Sequence, residues 1–263
     1  MTQLTVGSLF SGIGGLELGL ERAGMRTIWQ CESDKYARQV LAKHWPNIPV
    51  YEDVRLIDDR VDRPDVLCGG FPCQDLSCAN IKAKGLEGER SGLWFEYYRI
   101  ICLLRPRYVV VENGPVLVNR GLNRILGQLA EVGYDAEWQV LSAAQFGAPH
   151  LRRRLFVVAY TQGEQNWGIF KPELQSDIGT SSQGVGVVSN TDSPGCLEQC
   201  GSIPIFPEQF TVERSDWWSV KPDVGKLANG VPNRVGKLRC LGNAVVPQIA
   251  EYIGRLIVER EAL

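Results

Sequence analysis

One cysteine sits in a setting suited to chemistry. It lies in Gly69-Gly70-Phe71-Pro72-Cys73-Gln74-Asp75-Leu76-Ser77, directly after a short apolar run. A thiolate must be reachable to act as a nucleophile, and two glycines and a proline shape a tight turn that can present Cys73. A plain buried thiol is the other reading, since isolated cysteines are among the most buried residues. A second candidate is Glu112, at the end of Val109-Val110-Val111 and followed by Asn113-Gly114. A carboxyl group at a strand end inside a cleft has its pKa raised by burial and can donate a proton near neutrality. A surface carboxylate at a loop start would fit the same residues. A third stretch, Gln145-Phe146-Gly147-Ala148-Pro149-His150-Leu151, leads into Arg152-Arg153-Arg154. If that segment is extended, Arg152 and Arg154 point to one side and Arg153 to the other. A basic solvated edge is the alternative.

Two further stretches suit a cofactor. Phe10-Ser11-Gly12-Ile13-Gly14-Gly15 falls between a strand-like and a helix-like segment. Glycines there let backbone approach a ligand, and the helix start offers free N–H groups. Glu32 closes the next strand, where an acidic side chain typically holds ribose hydroxyls, and Asp53 follows a third strand at a place suited to an adenine amine. A glycine turn followed by surface acids remains open on these residues alone. Leu241-Gly242-Asn243-Ala244-Val245-Val246-Pro247 leads into a last helix and by itself could be a simple cap.

The elements that must position these groups alternate between strand and helix through the first half, the pattern of a parallel sheet wrapped by helices. The buried strands read as Leu4 to Phe10, Thr27 to Cys31, Val66 to Cys68, Tyr108 to Val111 and Leu155 to Tyr160. Ile13, Leu16, Leu20 and Ala23 share one helical face that Gly24 ends. Trp94, Tyr97, Ile101 and Leu104 share another, stopped by Pro106. After Thr161 the chain turns rich in Gly, Ser, Asn, Gln and Pro without a sustained period, too long for a simple loop. The final helix starts at Pro247, with Ile249, Ala250, Ile253, Leu256 and Ile257 on its apolar face. The expected organisation is a doubly wound, mostly parallel α/β sheet over residues 1–160, a small irregular region at 161–238, and a C-terminal helix at 239–263 packing back on the first part.

Composition excludes several classes. No run approaches the roughly 20 apolar residues that span a bilayer, and the first residues lack a secretory pattern. The expectation is therefore a cytoplasmic protein with free thiols, not a disulfide framework built from its 8 cysteines. Cys68, Cys73 and Cys78, or Cys196 and Cys200, do not follow the paired zinc spacing, and only 2 histidines exist to help, so no metal site is expected. A net charge of −2 argues mildly against a protein that merely coats nucleic acid, but leaves room for a local basic face.

In this order, the five stretches resemble the cytosine carbon-5 DNA methyltransferase family. They are similar to its FxGxGG cofactor motif, its PCQ nucleophile motif, its ENV motif, its QxRxR motif and its GNAV motif. The resemblance covers Leu4 to about Tyr160 and again about Arg239 to the C-terminus. It implies S-adenosylmethionine as methyl donor, double-stranded DNA as substrate, a Rossmann-like fold and a target base flipped from the duplex. Carried onto this sequence, Cys73 is the nucleophile, Glu112 the proton donor to ring N3, and Arg152 and Arg154 the stabilising cations. Phe10, Gly12, Gly14, Gly15, Glu32, Asp53, Pro72, Leu93, Asn243 and Val245 line the cofactor, while Gln74, Ser77 and Asn113 face the base or DNA. The family also implies a monomer, a recognition region within 161–238 and, for restriction-modification members, a cognate endonuclease in the host. Gln74 to Gly92 is expected to close over DNA, and the Trp217-Trp218 pair is read as core in preference to a DNA wedge. The sequence departs from the family at Gly114, where valine is usual, and at His150, where glutamine is usual. No ninth motif is evident before Gly242; the compact variable region looks like that of phage or prophage members. An RNA cytosine methyltransferase on the same scaffold, a non-catalytic relative and a nicotinamide-dependent oxidoreductase are the competing readings.

Overall fold

The computed structural model describes residues 3–72, 92–161, 186–188 and 234–262. Strands β1 (Thr5–Leu9), β2 (Arg26–Cys31), β3 (Val50–Tyr51), β4 (Val66–Gly69) and β5 (Tyr108–Asn113) lie parallel. With β6 (Tyr134–Ser142), β7 (Arg153–Thr161) and β8 (Gly186–Val188) they form one sheet in the order β3-β2-β1-β4-β5-β7-β6-β8. Strand β7 runs antiparallel to both β5 and β6, and β8 antiparallel to β6. The expected mostly parallel, doubly wound sheet is therefore present.

The apolar runs form strands because helices cover both faces, so every position finds a core; all six residues of β5 are buried. Alternation then divides them. Leu9, Leu67, Val109 and Val111 pack with Trp94, Tyr97 and Ile101 of α3 (Leu93–Leu104) and Ile125 and Leu129 of α5 (Leu122–Glu131). On the other face Val6, Cys68, Val110, Phe156 and Val158 meet Leu16 and Leu20 of α1 (Gly15–Arg22). The same cluster takes Ile249, Ala250, Ile253 and Ile257 of the last helix, which starts at Pro247 as expected. That helix thus packs back on the sheet.

Helix ends follow local chemistry. Helix α1 stops before Gly24, whose φ of +98° only glycine adopts freely. Arg105 takes a left-handed φ of 49° to end α3 one residue before Pro106. Asp34 caps α2 (Lys35–His44), accepting from the Ala37 N–H at 2.9 Å. A short helix, α4 (Leu117–Arg120), precedes α5.

Some described elements differ from the sequence expectation, among them β8, a strand inside the region read as irregular. Strand β6 hides its period because Glu137 and Gln139, both polar, are buried beside Tyr134, Ala136 and Val140; the Tyr160 hydroxyl donates to Glu137 at 3.1 Å. Residues Arg234–Asn243 form a helix, α6, ahead of the last helix α7 (Pro247–Glu261). It was hidden because Leu238 and Leu241 are exposed, leaving no apolar stripe to read. Helix α6 runs through residue 238, where composition sets the irregular region off from the C-terminal segment.

Candidate active site

The sheet order reverses between β1 and β4, and a crevice opens at the carboxyl ends of the strands there. It is a cavity of about 670 Å³. Of the expected site residues, Phe10, Gly12, Gly15, Glu32, Asp53, Pro72, Leu93, Glu112, Asn113, Arg154, Asn243 and Val245 stand on its wall. Residues from five strand ends, distant in sequence, thus meet in one space.

The glycine loop is wound by left-handed residues: Phe10 at φ 54°, Gly12 at 57° and Gly14 at 87°. Ser11 N–H donates to the Cys31 carbonyl at 3.1 Å, and Gly14 N–H to the Ser11 carbonyl at 3.0 Å. The Glu32 carboxylate accepts from Gly12 N–H and from Asp34 N–H, each at 2.7 Å, so it braces the loop while facing the cavity. A Cβ on Gly15 would lie 2.5 Å from the Val245 carbonyl oxygen, which is how the lead-in to α7 closes over the loop. Gly14 is not on the cavity wall; it packs against the Trp45 ring. Asp53 caps the 3-10 turn Val54–Leu56 and pairs with the Arg55 guanidinium at 2.9 Å, which holds its carboxyl below the usual range.

Across the cavity, Glu112 is 8% exposed and its Oε1 meets Arg154 Nε at 3.0 Å. Burial pushes the Glu112 pKa up to about 7, against the pull of Arg154 and then Arg152. A Cβ on Gly70 would lie 2.5 Å from Glu112 Oε2, so the carboxyl group needs a glycine at that place. Asn113 Nδ2 donates to the Phe71 carbonyl at 3.2 Å, tying the end of β5 to the chain leaving β4. Pro72 then stands on the wall; Cys73, Gln74 and Ser77, with the expected closing loop and the Trp217-Trp218 pair, lie outside the described residues.

Arg152 is placed otherwise than strict alternation suggests. Its φ of 27° takes it out of the strand, and its Nη2 donates to the carbonyls of Gly242 at 2.9 Å and Ala244 at 2.5 Å. It clasps the C-terminal lead-in and acts on Glu112 through space. At Gly114 an added Cβ would meet no described atom within 4 Å, so that part of the wall is open. Asp34, Glu52, Arg239 and Cys240 also line the cavity and were not foreseen, the last two because α6 carries no legible period. Among the described residues no cluster of three or more metal-ligating side chains occurs, and no helix is long and apolar enough to cross a membrane.

A parallel sheet with a glycine-looped cavity at its switch point, continued by an antiparallel β6–β7 pair, is a Rossmann-like methyltransferase fold. Residues 4–193 match the family described as C-5 cytosine-specific DNA methylase. The chain belongs to that family, one of DNA (cytosine-5-)-methyltransferases. It is 38% identical to the type II methyltransferase M2.BsuMI of Bacillus subtilis over 95% of this chain and 74% of that protein. Against seven other type II methyltransferases it spans about half their length, between 39% and 54%. Among solved structures, a prophage-encoded DNA modification methyltransferase from E. coli is 26% identical, with a TM-score of 0.53 over 64% of this chain and 50% of that one. The Entamoeba histolytica methyltransferase EhMeth, 17% identical, shares the fold with a TM-score of 0.64 over 99% of both chains.

Proposed function

We propose that the protein transfers a methyl group from S-adenosylmethionine to carbon 5 of cytosine within a specific duplex DNA sequence, flipping the base out and attacking carbon 6 with Cys73. The observation that carries this reading is Glu112: a buried carboxyl with a pKa near 7, ion-paired to Arg154, on the wall of the same cavity as the glycine loop.

The cavity suits the cofactor. Its volume lies within the range of about 300–1,000 Å³ usual for small-molecule sites. Glu32 would hold the ribose, Asp53 the adenine amine, and Phe10, Gly12, Gly15, Pro72, Leu93, Asn243 and Val245 the remaining walls; Gly14 shapes the turn from behind. Bound there, S-adenosylmethionine supplies an electrophilic methyl group on a sulfonium.

Carbon 5 of cytosine is a poor nucleophile, and covalent catalysis makes it a better one. The Cys73 thiolate forms a carbon–sulfur bond at carbon 6. The displaced electron pair moves through the ring, and Glu112 donates its proton at N3 so that negative charge does not build up. Arg154 holds Glu112 in place and stabilises charge in a water-poor site; Arg152 fixes the wall behind them. After carbon 5 takes the methyl group, its hydrogen leaves as a proton to solvent, the carbon–sulfur bond breaks with its electron pair returning to the Cys73 thiolate, and N3 gives its proton back to Glu112, which restores the ring. Gln74, Ser77 and Asn113 would contact the extruded base or the DNA, with the segment after Cys73 closing over it. Residues 161–238 would read the sequence from the major groove, beside a catalytic unit at 1–160 and a C-terminal segment at 239–263. We take the protein to act in the cytoplasm as a monomer without metal, with a cognate restriction endonuclease as its cellular counterpart.

The deciding experiment offers radiolabelled S-adenosylmethionine with duplex DNA and, separately, transfer RNA, followed by bisulfite sequencing of the DNA. Label at one cytosine within a fixed duplex sequence is expected. Label confined to transfer RNA, or none on either, would end the reading.

A further inference from the structure

The glycine loop is strained. Phe10, a non-glycine residue, sits at φ 54° ahead of the turns at Gly12 and Gly14, a conformation that L-residues rarely adopt and that lasts only where neighbours over-determine it. Glu32 braces it from the cavity side. On the opposite side lies a sealed polar cluster that the chemistry above does not use. Glu17 of α1, Ser8 of β1 and Gln30 of β2 are 0% exposed, and Ser11 of the loop is 8% exposed. The Ser11 hydroxyl donates to the Ser8 hydroxyl at 2.9 Å. The Glu17 carboxyl lies against both serines, which draw its pKa down against the effect of burial, and Gln30 Nε2 donates to its Oε1 at 3.4 Å. Glu17 Oε2 and Gln30 Oε1 have no partner among the described residues.

We infer that Glu17 is a positioning residue for the cofactor loop, a buried carboxyl group that locks Ser11, and with it Phe10–Gly14, into the conformation that receives the cofactor. This rests on the reading of the loop as the S-adenosylmethionine site. Burial raises the pKa of Glu17, no arginine or lysine among the described residues offsets it, and the other titratable group facing it is Cys68 of β4. An uncharged carboxyl both donates and accepts a hydrogen bond, as the cluster of hydroxyls and an amide requires. A charged one in that place would lack a counter-ion. Glutamine keeps the shape and both hydrogen-bonding roles; leucine keeps neither role.

The test compares wild type, Glu17→Gln and Glu17→Leu by hydrogen–deuterium exchange of the cofactor-free protein over residues 9–15, and by calorimetric titration with S-adenosylmethionine. In Glu17→Leu the loop amides are expected to exchange about tenfold faster, with β4 and β5 unchanged. Its cofactor dissociation constant rises about tenfold or more while kcat at saturating cofactor stays within about twofold. Glu17→Gln stays near wild type on both readouts. Native loop exchange in Glu17→Leu, or an equally open loop in Glu17→Gln, overturns the inference. If Glu17→Leu does not fold, Ser11→Ala must speed exchange of the same segment, and unchanged exchange there is equally fatal. A wild type that binds no S-adenosylmethionine sinks the functional reading instead, while the exchange comparison still decides this one.

Discussion

Glu112→Gln separates a carboxyl that is poised by burial from one that merely pairs with arginine. The folded-state pKa of about 7 stands above the ordinary 4.5. Between those two values the folded protein binds more protons than the unfolded chain, so stability falls as pH rises. The stabilising contribution is complete below about 4.5 and is lost as pH climbs through about 7. At 1.36 kcal/mol per pKa unit, the loss comes to about 3 kcal/mol for a fully titrated group. The side chain is only 11% exposed, so solvent screening trims this little. Glutamine cannot titrate, and it can still accept from Arg154, so its other effects on stability are nearly independent of pH. The assay is urea unfolding of both proteins at pH 5 and pH 8. Groups common to the two cancel in the difference. With an m-value of about 3 kcal/mol per molar urea, wild type should lose about 1 M more in midpoint than the variant over that range. Parallel curves would refute the reasoning, because a carboxyl with an ordinary pKa is fully ionised above pH 6 and leaves no such difference. The same displacement is what keeps a proton on Glu112 at neutral pH, and Glu112→Gln should slow methyl transfer by about 10²–10⁴-fold.

Cys73→Ala should abolish turnover yet bind S-adenosylmethionine within a few-fold of wild type by calorimetry, and duplex carrying 5-fluorocytosine at the target should be trapped as a covalent adduct by wild type alone. Arg154→Ala removes the main attraction holding the Glu112 carboxyl down, so the alkaline limb of the pH–rate profile should move to higher pH; an unmoved limb would show that Glu112 does not set it. Glu32→Gln leaves one carbonyl oxygen to serve the two N–H groups that the carboxylate now accepts. Losing one charge-assisted bond costs about 1.5–3 kcal/mol, so cofactor affinity should fall about ten- to hundredfold in the same titration.

What the sequence disclosed, and what it withheld, divides along physical lines. Strands covered on both faces must be apolar throughout, so β1, β4, β5 and β7 were legible as runs, and Gly24, Pro106 and Pro247 punctuated the helices because each forbids or compels one backbone conformation. Side chains at the carboxyl ends of those strands could be assigned to a crevice without knowing any distance, since a doubly wound sheet leaves its crevice nowhere else. Strand β6 and helix α6 escaped because their buried and exposed positions do not sort by polarity: Glu137 is sealed inside while Leu238 and Leu241 face solvent. Arg152 escaped for another reason. Alternation along a strand predicts direction only while the backbone remains extended, and a left-handed residue ahead of β7 turns its guanidinium toward carbonyls some ninety positions away in the chain. Those carbonyls belong to the stretch that carries Asn243 and Val245, so the residue read as a cation for the base fixes a wall of the cavity. Arg152 therefore braces that wall by hydrogen bonds and bears on Glu112, the proposed catalytic carboxyl, through its field alone. Cofactor binding and the poise of Glu112 should accordingly respond together when that brace is cut.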